Sequence, residues 1–262
     1  MSPTAVQTAI TAWQEKQISG TQLLRRLASC DAWLIPVSER AAAEMLSADA
    51  ATRVMISRDA AGVGRLYLFS DAAAWQTFHR AAGDEPAAGQ HFLTTTGSWI
   101  FRLPLDQVDF VEIDPGSPWH INYTREQFPR LRALAEAVEI ERTLLALRRG
   151  EAPAGAAAQA RDYAHYLLAV ISQGGRTALA LAPDSQGRAL AAIFTAADNF
   201  DAFVDERGPS LAEGQLLSLE LAGDSLFRQL SGMRLDGLVF NCCGPAPAVA
   251  FAPAFAEVVL AA

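Results

Sequence analysis

Leu66-Tyr67-Leu68-Phe69-Ser70-Asp71 is answered 125 residues later by Ala191-Ala192-Ile193-Phe194-Thr195-Ala196, and each stretch runs on into a pair of aromatics, Trp75 and Phe78 in the first, Phe200 and Phe203 in the second. Gly97-Ser98-Trp99-Ile100-Phe101-Arg102 then faces Gly223-Asp224-Ser225-Leu226-Phe227-Arg228 at an offset of 126. Asp109-Phe110-Val111-Glu112-Ile113-Asp114 faces Asp236-Gly237-Leu238-Val239-Phe240-Asn241 at 127. One block matches easily by chance, whereas three in the same order, drifting by two residues, are what duplication followed by loop insertions produces.

Each copy has the same coarse pattern. Trp33 to Val37 and Tyr166 to Ile171 are apolar runs of strand length, the second equally compatible with a helix segment. Val54 to Ser57 and Ala178 to Leu181 follow, then Leu66 to Phe69 and Leu190 to Phe194, with the turn sequences Asp59-Ala60-Ala61-Gly62 and Asp184-Ser185-Gln186-Gly187 between them. Gly174-Gly175 reads as a hairpin turn. Ser70 and Thr195 stand where a hydroxyl can cap a following helix, and Thr195 with Asp198 has capping-box spacing. His91 to Thr95 and Gln215 to Leu221 read as a fourth strand, a short helix carries Phe101 or Phe227, and a fifth strand ends at Asp114 or Asn241. Alternating strands and helices predict an α/β (α+β) fold of two related mixed-sheet units with helices, formed by internal duplication.

Two helical stretches are expected outside the repeat. Residues 4–28 read as two helices broken at Ser19-Gly20 with Thr21 as cap, and a longer helix runs from about Pro129 to Arg149. The expected organisation is an N-terminal helical segment (1–29), a first unit with its C-terminal helix (30–149), a Pro-, Gly- and Ala-rich linker (150–160) and a second unit (161–262).

A chain of 262 residues that is 51% hydrophobic has ample material for two cores. With 21 basic and 29 acidic residues, a net charge of −8, it has no general attraction to a phosphate backbone, and no nucleic-acid partner is expected. The longest uncharged stretch, Gly237 to Ala256, carries three prolines and Asn241, so no membrane span is expected. The N-terminus lacks the basic and then apolar regions of a secretory signal, and three cysteines make no disulfide framework. A cytoplasmic location is the expectation.

A strand ending in Phe-Ser/Thr, an aromatic-bearing helix, a Gly-x-x-hydrophobic-Phe segment and Asp236-Gly237-Leu238-Val239-Phe240-Asn241 together resemble the SseB-like family. The first copy departs from that pattern with Phe110 for the glycine and Asp114 for the asparagine, and Cys242-Cys243 stands where Pro-Gly is usual. The resemblance covers most of residues 30–130 and 160–256. It implies tandem SseB-type domains and a protein-binding role, and it carries over no catalytic residue.

Among candidate sites, adjacent Cys242 and Cys243 could bind a soft metal or form a redox pair. No cation adjoins them to lower a thiol pKa, which favours packing as small hydrophobes. His79, His91, His120 and His165 have no metal-ligand spacing, so neither a metal nor a cofactor is expected. Asp114 and Asn241 occupy matching strand ends, where ligands bind in α/β sheets or where Asx side chains brace turns. Trp119-His120-Ile121-Asn122-Tyr123 alternates after prolines as an edge strand would, so Trp119 and Tyr123 could anchor a partner chain or a second copy. The expected function is therefore non-catalytic protein binding or regulation, with Trp119, Tyr123, Asp114 and Asn241 as binding residues. The alternative is a small hydrolase or thiol-dependent enzyme using Cys242/Cys243 or a triad that sequence spacing does not reveal.

Overall fold

The computed structural model describes residues 4–37, 56–83, 91–210 and 214–262. The chain forms two compact units, Met1–Val138 and Glu139–Ala262. The division falls inside a 22-residue helix and not in the stretch 150–160, where a further helix begins.

The first unit opens with helices α1 (Ala5–Gln14) and α2 (Gly20–Ser29), each started by a capping box, Thr4 with Gln7 and Ser19 with Gln22. Ser19 is thus the cap in place of Thr21, because its hydroxyl accepts from the amide of Gln22. Strands β1 (Trp33–Val37), β2 (Ser57–Arg58) and β3 (Gly64–Leu68) lead to helix α3 (Ala72–Ala82). Of the strand expected over 54–57, residues 54 and 55 lie outside the described residues. Strand β4 (His91–Thr95), the short helix α4 (Gly97–Ile100), β5 (Phe110–Ile113) and β6 (Ile121–Thr124) follow. Helix α5 (Phe128–Arg149) spans the division between the units. Strands run in the order β2-β3-β5-β6, with β3 and β5 parallel, while β4 pairs with β1 and an isolated bridge joins Leu34 to Phe69.

The second unit continues with α6 (Ala156–Asp162), β7 (Tyr166–Gln173), β8 (Arg176–Leu179), β9 (Leu181–Pro183) and β10 (Ala189–Phe194). Then come α7 (Ala197–Arg207), β11 (Gln215–Leu221), α8 (Gly223–Ser231), β12 (Gly237–Phe240), β13 (Val249–Phe251) and α9 (Phe255–Ala261). The sheet order is β11-β7-β10-β12-β13, with β10 and β12 parallel and the others antiparallel. Residues 166–171 are strand, settling the ambiguity of that apolar run. The strand expected over 178–181 is broken at Ala180, where the chain leaves β7 and pairs with β10.

Alternation sorts the second unit's side chains into two cores. One holds Tyr166, Leu168, Ile193, Phe227, Phe240 and Phe255; the other holds Ala169, Ala192, Phe194, Phe200 and Phe203. Fully burying such large side chains contributes about 1.5–3 kcal/mol each. The helices before each unit's first strand belong to the same architecture and are not additions to it. Trp33 Nε1 donates to Leu27 O at 3.2 Å, and Tyr166 Oη donates to Ala160 O at 3.0 Å, so each strand's first aromatic ties down the helix preceding it.

Gly97 and Gly223 complete that contact. Their amides donate to Cys30 O and Tyr163 O, both at 2.7 Å. A Cβ on Gly97 would lie 2.0 Å from Leu27 O, and one on Gly223 2.4 Å from Arg161 O. Gly97→Ala and Gly223→Ala should each cost about 1–3 kcal/mol or more, because the obstacle is rigid helix backbone. Gly20→Ala, with nothing within 4 Å, should be neutral or stabilising. Urea denaturation midpoints check the ranking.

Candidate functional site

Each parallel strand pair ends in a bracket built from three segments. In the first unit Asp114, at φ 44°, accepts from the Ser70 amide at 2.7 Å and from the Ser70 hydroxyl at 2.6 Å. Gln7 of α1 donates its side-chain amide to Ser70 Oγ at 2.9 Å and to Asp71 at 3.2 Å. In the second unit Asn241, at φ 56°, accepts from the Thr195 amide at 3.0 Å, while the Thr195 hydroxyl lies 2.6 Å from Glu141 of α5. Asn199 of α7 donates to the same Glu141 oxygen at 3.0 Å and accepts from the Ala246 amide at 3.0 Å. Left-handed backbone is tolerated best by Gly, Asn and Asp, which explains an Asx residue at both turns.

The hydroxyls of Ser70 and Thr195 therefore do not cap the following helices. They sit one residue too early: Asp71 caps α3 by accepting from the Ala74 amide, and Ala196 stands at the cap position of α7. Asp114 and Asn241, 0% and 1% exposed, act as turn braces rather than as groups presented to a ligand. Burial pushes the Asp114 carboxyl up to about 6, against the hydrogen bonds from Ser70 that favour its charged form.

Strand β6 is an outer strand of its sheet, paired with β5 among the described residues. Its aromatic residue, Tyr123, nevertheless faces inward. Alternation places Tyr123 opposite Val111, where it is buried and its phenol pKa is raised by desolvation. The Trp119 indole is half-buried and donates to Thr11 of α1 at 3.2 Å. The Tyr123 ring is thus spent on the unit's interior and not presented to a partner, while the Trp119 ring stays half-exposed with its indole N–H tied to α1.

On the opposite face the structure brings together a cluster that sequence spacing did not reveal. Glu112 is buried between Arg65 and His120, with contacts of 2.5 Å to each, and the Arg65 guanidinium lies 4.9 Å from the Phe110 ring centroid. The readable signal was one charged residue between Val111 and Ile113 in a strand otherwise apolar. The second unit has Leu190 and Val239 at the matching positions, packed in its apolar core.

Burial raises the Cys242 thiol to about 12, with Cys243 adding to the shift, and burial and neighbouring Glu206 raise Cys243. Both shifts oppose thiolate formation. Among the described residues no group of three His, Cys, Asp or Glu side chains is placed to hold a metal ion, and no helix is long and apolar enough to cross a membrane.

No protein-family model matches the chain, and no curated protein matches it. A solved structure, Anabaena Tic22 (protein transport), aligns over 83% of this chain and 88% of its own at 9% identity, with a TM-score of 0.20.

The outer edge of β11 is the surface feature that stands apart. Its seven residues pair with β7 in unbroken register from Gln215↔Ser172 to Leu221↔Tyr166. Leu217 and Leu219 are 39% and 46% exposed. Among the described residues the other outer strands are shorter: β4 has five residues, β6 four, and β13 three, the last lying between Pro247 and Pro253.

The Asp114 bracket carries a pH signature. A carboxyl whose folded pKa lies above its unfolded value favours the folded state below about pH 4, and that contribution is lost as pH rises through about 6. Replacing Asp114 by Asn, as at position 241, should remove that loss. Relative to wild type, Asp114→Asn should gain stability at pH 8 against pH 4, by at most about 3 kcal/mol. Denaturation midpoints of both proteins at the two pH values measure the difference.

Proposed function

We propose that this chain is a non-catalytic protein-binding or regulatory protein that takes an extended segment of its partner along the outer edge of β11. The observation that carries the proposal is the coincidence of length, regularity and exposed Leu217 and Leu219 on one strand edge. Edges of soluble sheets are ordinarily blunted by lysine, proline, a bulge or short length, and Gln215-Leu216-Leu217-Ser218-Leu219-Glu220-Leu221 has none of these. Strand addition would supply main-chain hydrogen bonds, with the leucines giving apolar contact on one face.

The titratable groups fit the same reading. Asp114, Glu141 and Glu112 are engaged in bracing strand ends or in an internal ion pair, and the paired thiols are held protonated. The enzyme alternative, through Cys242/Cys243 or a triad, has no comparable geometric support. Cys243, the exposed thiol, should accordingly alkylate with iodoacetamide at pH 7 more slowly than free cysteine, as mass spectrometry over time would show.

The resemblance to the SseB-like family and an origin by internal duplication belong to the same proposal. Recurrence of the aromatic tie, the glycine contact and the Asx bracket in both units supports duplication. A cytoplasmic location is in keeping with free cysteines.

Leu217→Lys/Leu219→Lys should leave the fold intact, since both side chains are exposed, and should abolish capture of proteins that cross-link to β11 in the wild type. An unchanged partner set would sink the proposal, with circular dichroism confirming the fold.

A further inference from the structure

We infer that the partner taken up by β11 is a second copy of this chain, two β11 strands pairing antiparallel about a two-fold axis through Ser218. The inference rests on β11 being a docking edge and goes further by naming the occupant. The centre of the strand, Leu217-Ser218-Leu219, is complementary to itself in that arrangement. Ser218 meets Ser218 of the second copy, Leu217 meets Leu219, Leu216 meets Glu220, and Gln215 meets Leu221. Directly opposed side chains in an antiparallel pair have Cβ atoms about 4.5–5.5 Å apart, so the two Leu217–Leu219 pairs form one apolar strip on one face of the joined sheets.

Charge does not oppose the arrangement. Glu220 is the only charged residue of β11, and its carboxylate already lies 2.6 Å from His165. The two Glu220 residues would be four residues apart along the ladder, about 14 Å at about 3.4 Å per residue. That exceeds the Debye length of about 8 Å at physiological ionic strength. Among the described residues β7 is the only strand beside β11, and β8 and β10 pair with the opposite side of β7, so the outer side of β11 meets no other strand. Four leucines on a seven-residue ladder make a contact smaller than a standard stable interface. The association is therefore reversible and concentration-dependent.

Analytical ultracentrifugation of the full chain over a concentration series should show a monomer–dimer equilibrium that Leu217→Lys/Leu219→Lys shifts to monomer, because each new lysine would face another. The register is tested in a Cys243→Ser background. Ser218→Cys should form a covalent dimer on mild oxidation, since its two copies sit opposite each other within disulfide reach. Gln215→Cys should not, because its two copies would be about 20 Å apart. A wild type that stays monomeric throughout the series overturns the inference, as does cross-linking of Gln215→Cys as readily as Ser218→Cys. If the lysine variant loses captured proteins while the wild type is always monomeric, the docking edge stands and the second copy is excluded as its occupant. If the variant changes neither, both fall.

Discussion

Two parallel strands that end side by side leave a backbone amide with no ladder partner, and both units of this protein depend on how that amide is satisfied. The amides of Ser70 and Thr195 lie two residues beyond the end of β3 and one beyond the end of β10, at the entrance to a helix. An unpaired buried amide there would cost about 1–3 kcal/mol. Asp114 and Asn241 answer it from the end of the neighbouring strand, reaching back because their backbone is left-handed. The turn conformation, the Asx side chain and the parallel pairing are thus one constraint. It fixes where each central strand stops and where α3 and α7 begin.

The brackets also show how one geometry accommodates two chemistries. In the first unit the carboxylate sits at the strand end and the amide comes from a helix, as Asp114 and Gln7; in the second the amide is at the strand end and the carboxylate on the helix, as Asn241 and Glu141. The central hydroxyl turns to suit, donating to Asp114 in one and engaging Glu141 in the other. Either arrangement places one carboxylate beside the hydroxyl. Two carboxylates there would force one to hold its proton, and none would leave the hydroxyl without a charged acceptor. The exchange preserves the bracket while moving the charge from strand to helix.

Much of this was legible in the sequence, and what was not has physical reasons. Short continuous apolar runs and the repeated Phe-Ser/Thr and Asp…Asp/Asn blocks mark the central strands, because burial on both faces demands those residues. The repeat could not show that α1–α2 and the end of α5 with α6 play the same part in each unit. Their contacts run through backbone carbonyls, Leu27 O and Ala160 O, which any residue type supplies. The capping role assigned to Ser70 and Thr195 failed by one position, a distinction that turns on which residue has non-helical backbone. Trp119 and Tyr123 follow an edge-strand alternation faithfully, yet alternation alone does not say which face is covered. The Arg65–Glu112–His120 cluster joins residues from two strands and the turn before β6, and no local spacing announces it.

The contrast between the two units bears on why β11 is the long edge. In the first unit β1 and β4 pair over five residues, from Trp33↔Thr95 to Val37↔His91. Among the described residues β7 of the second runs three residues further, to the hairpin at Gly174-Gly175, both glycines in the left-handed region that such a tight turn requires. The added stretch of β7 is held on its inner side by β8 through Ile171↔Ala178 and Ser172↔Thr177. Extended backbone held on one side is a template on the other, and β11 follows it through Leu216↔Ile171 and Gln215↔Ser172. The hairpin thus lengthens β11 by Gln215 and Leu216, whereas Leu217 and Leu219, opposite Val170 and Leu168, lie in the five-residue stretch that corresponds to the β1–β4 pairing.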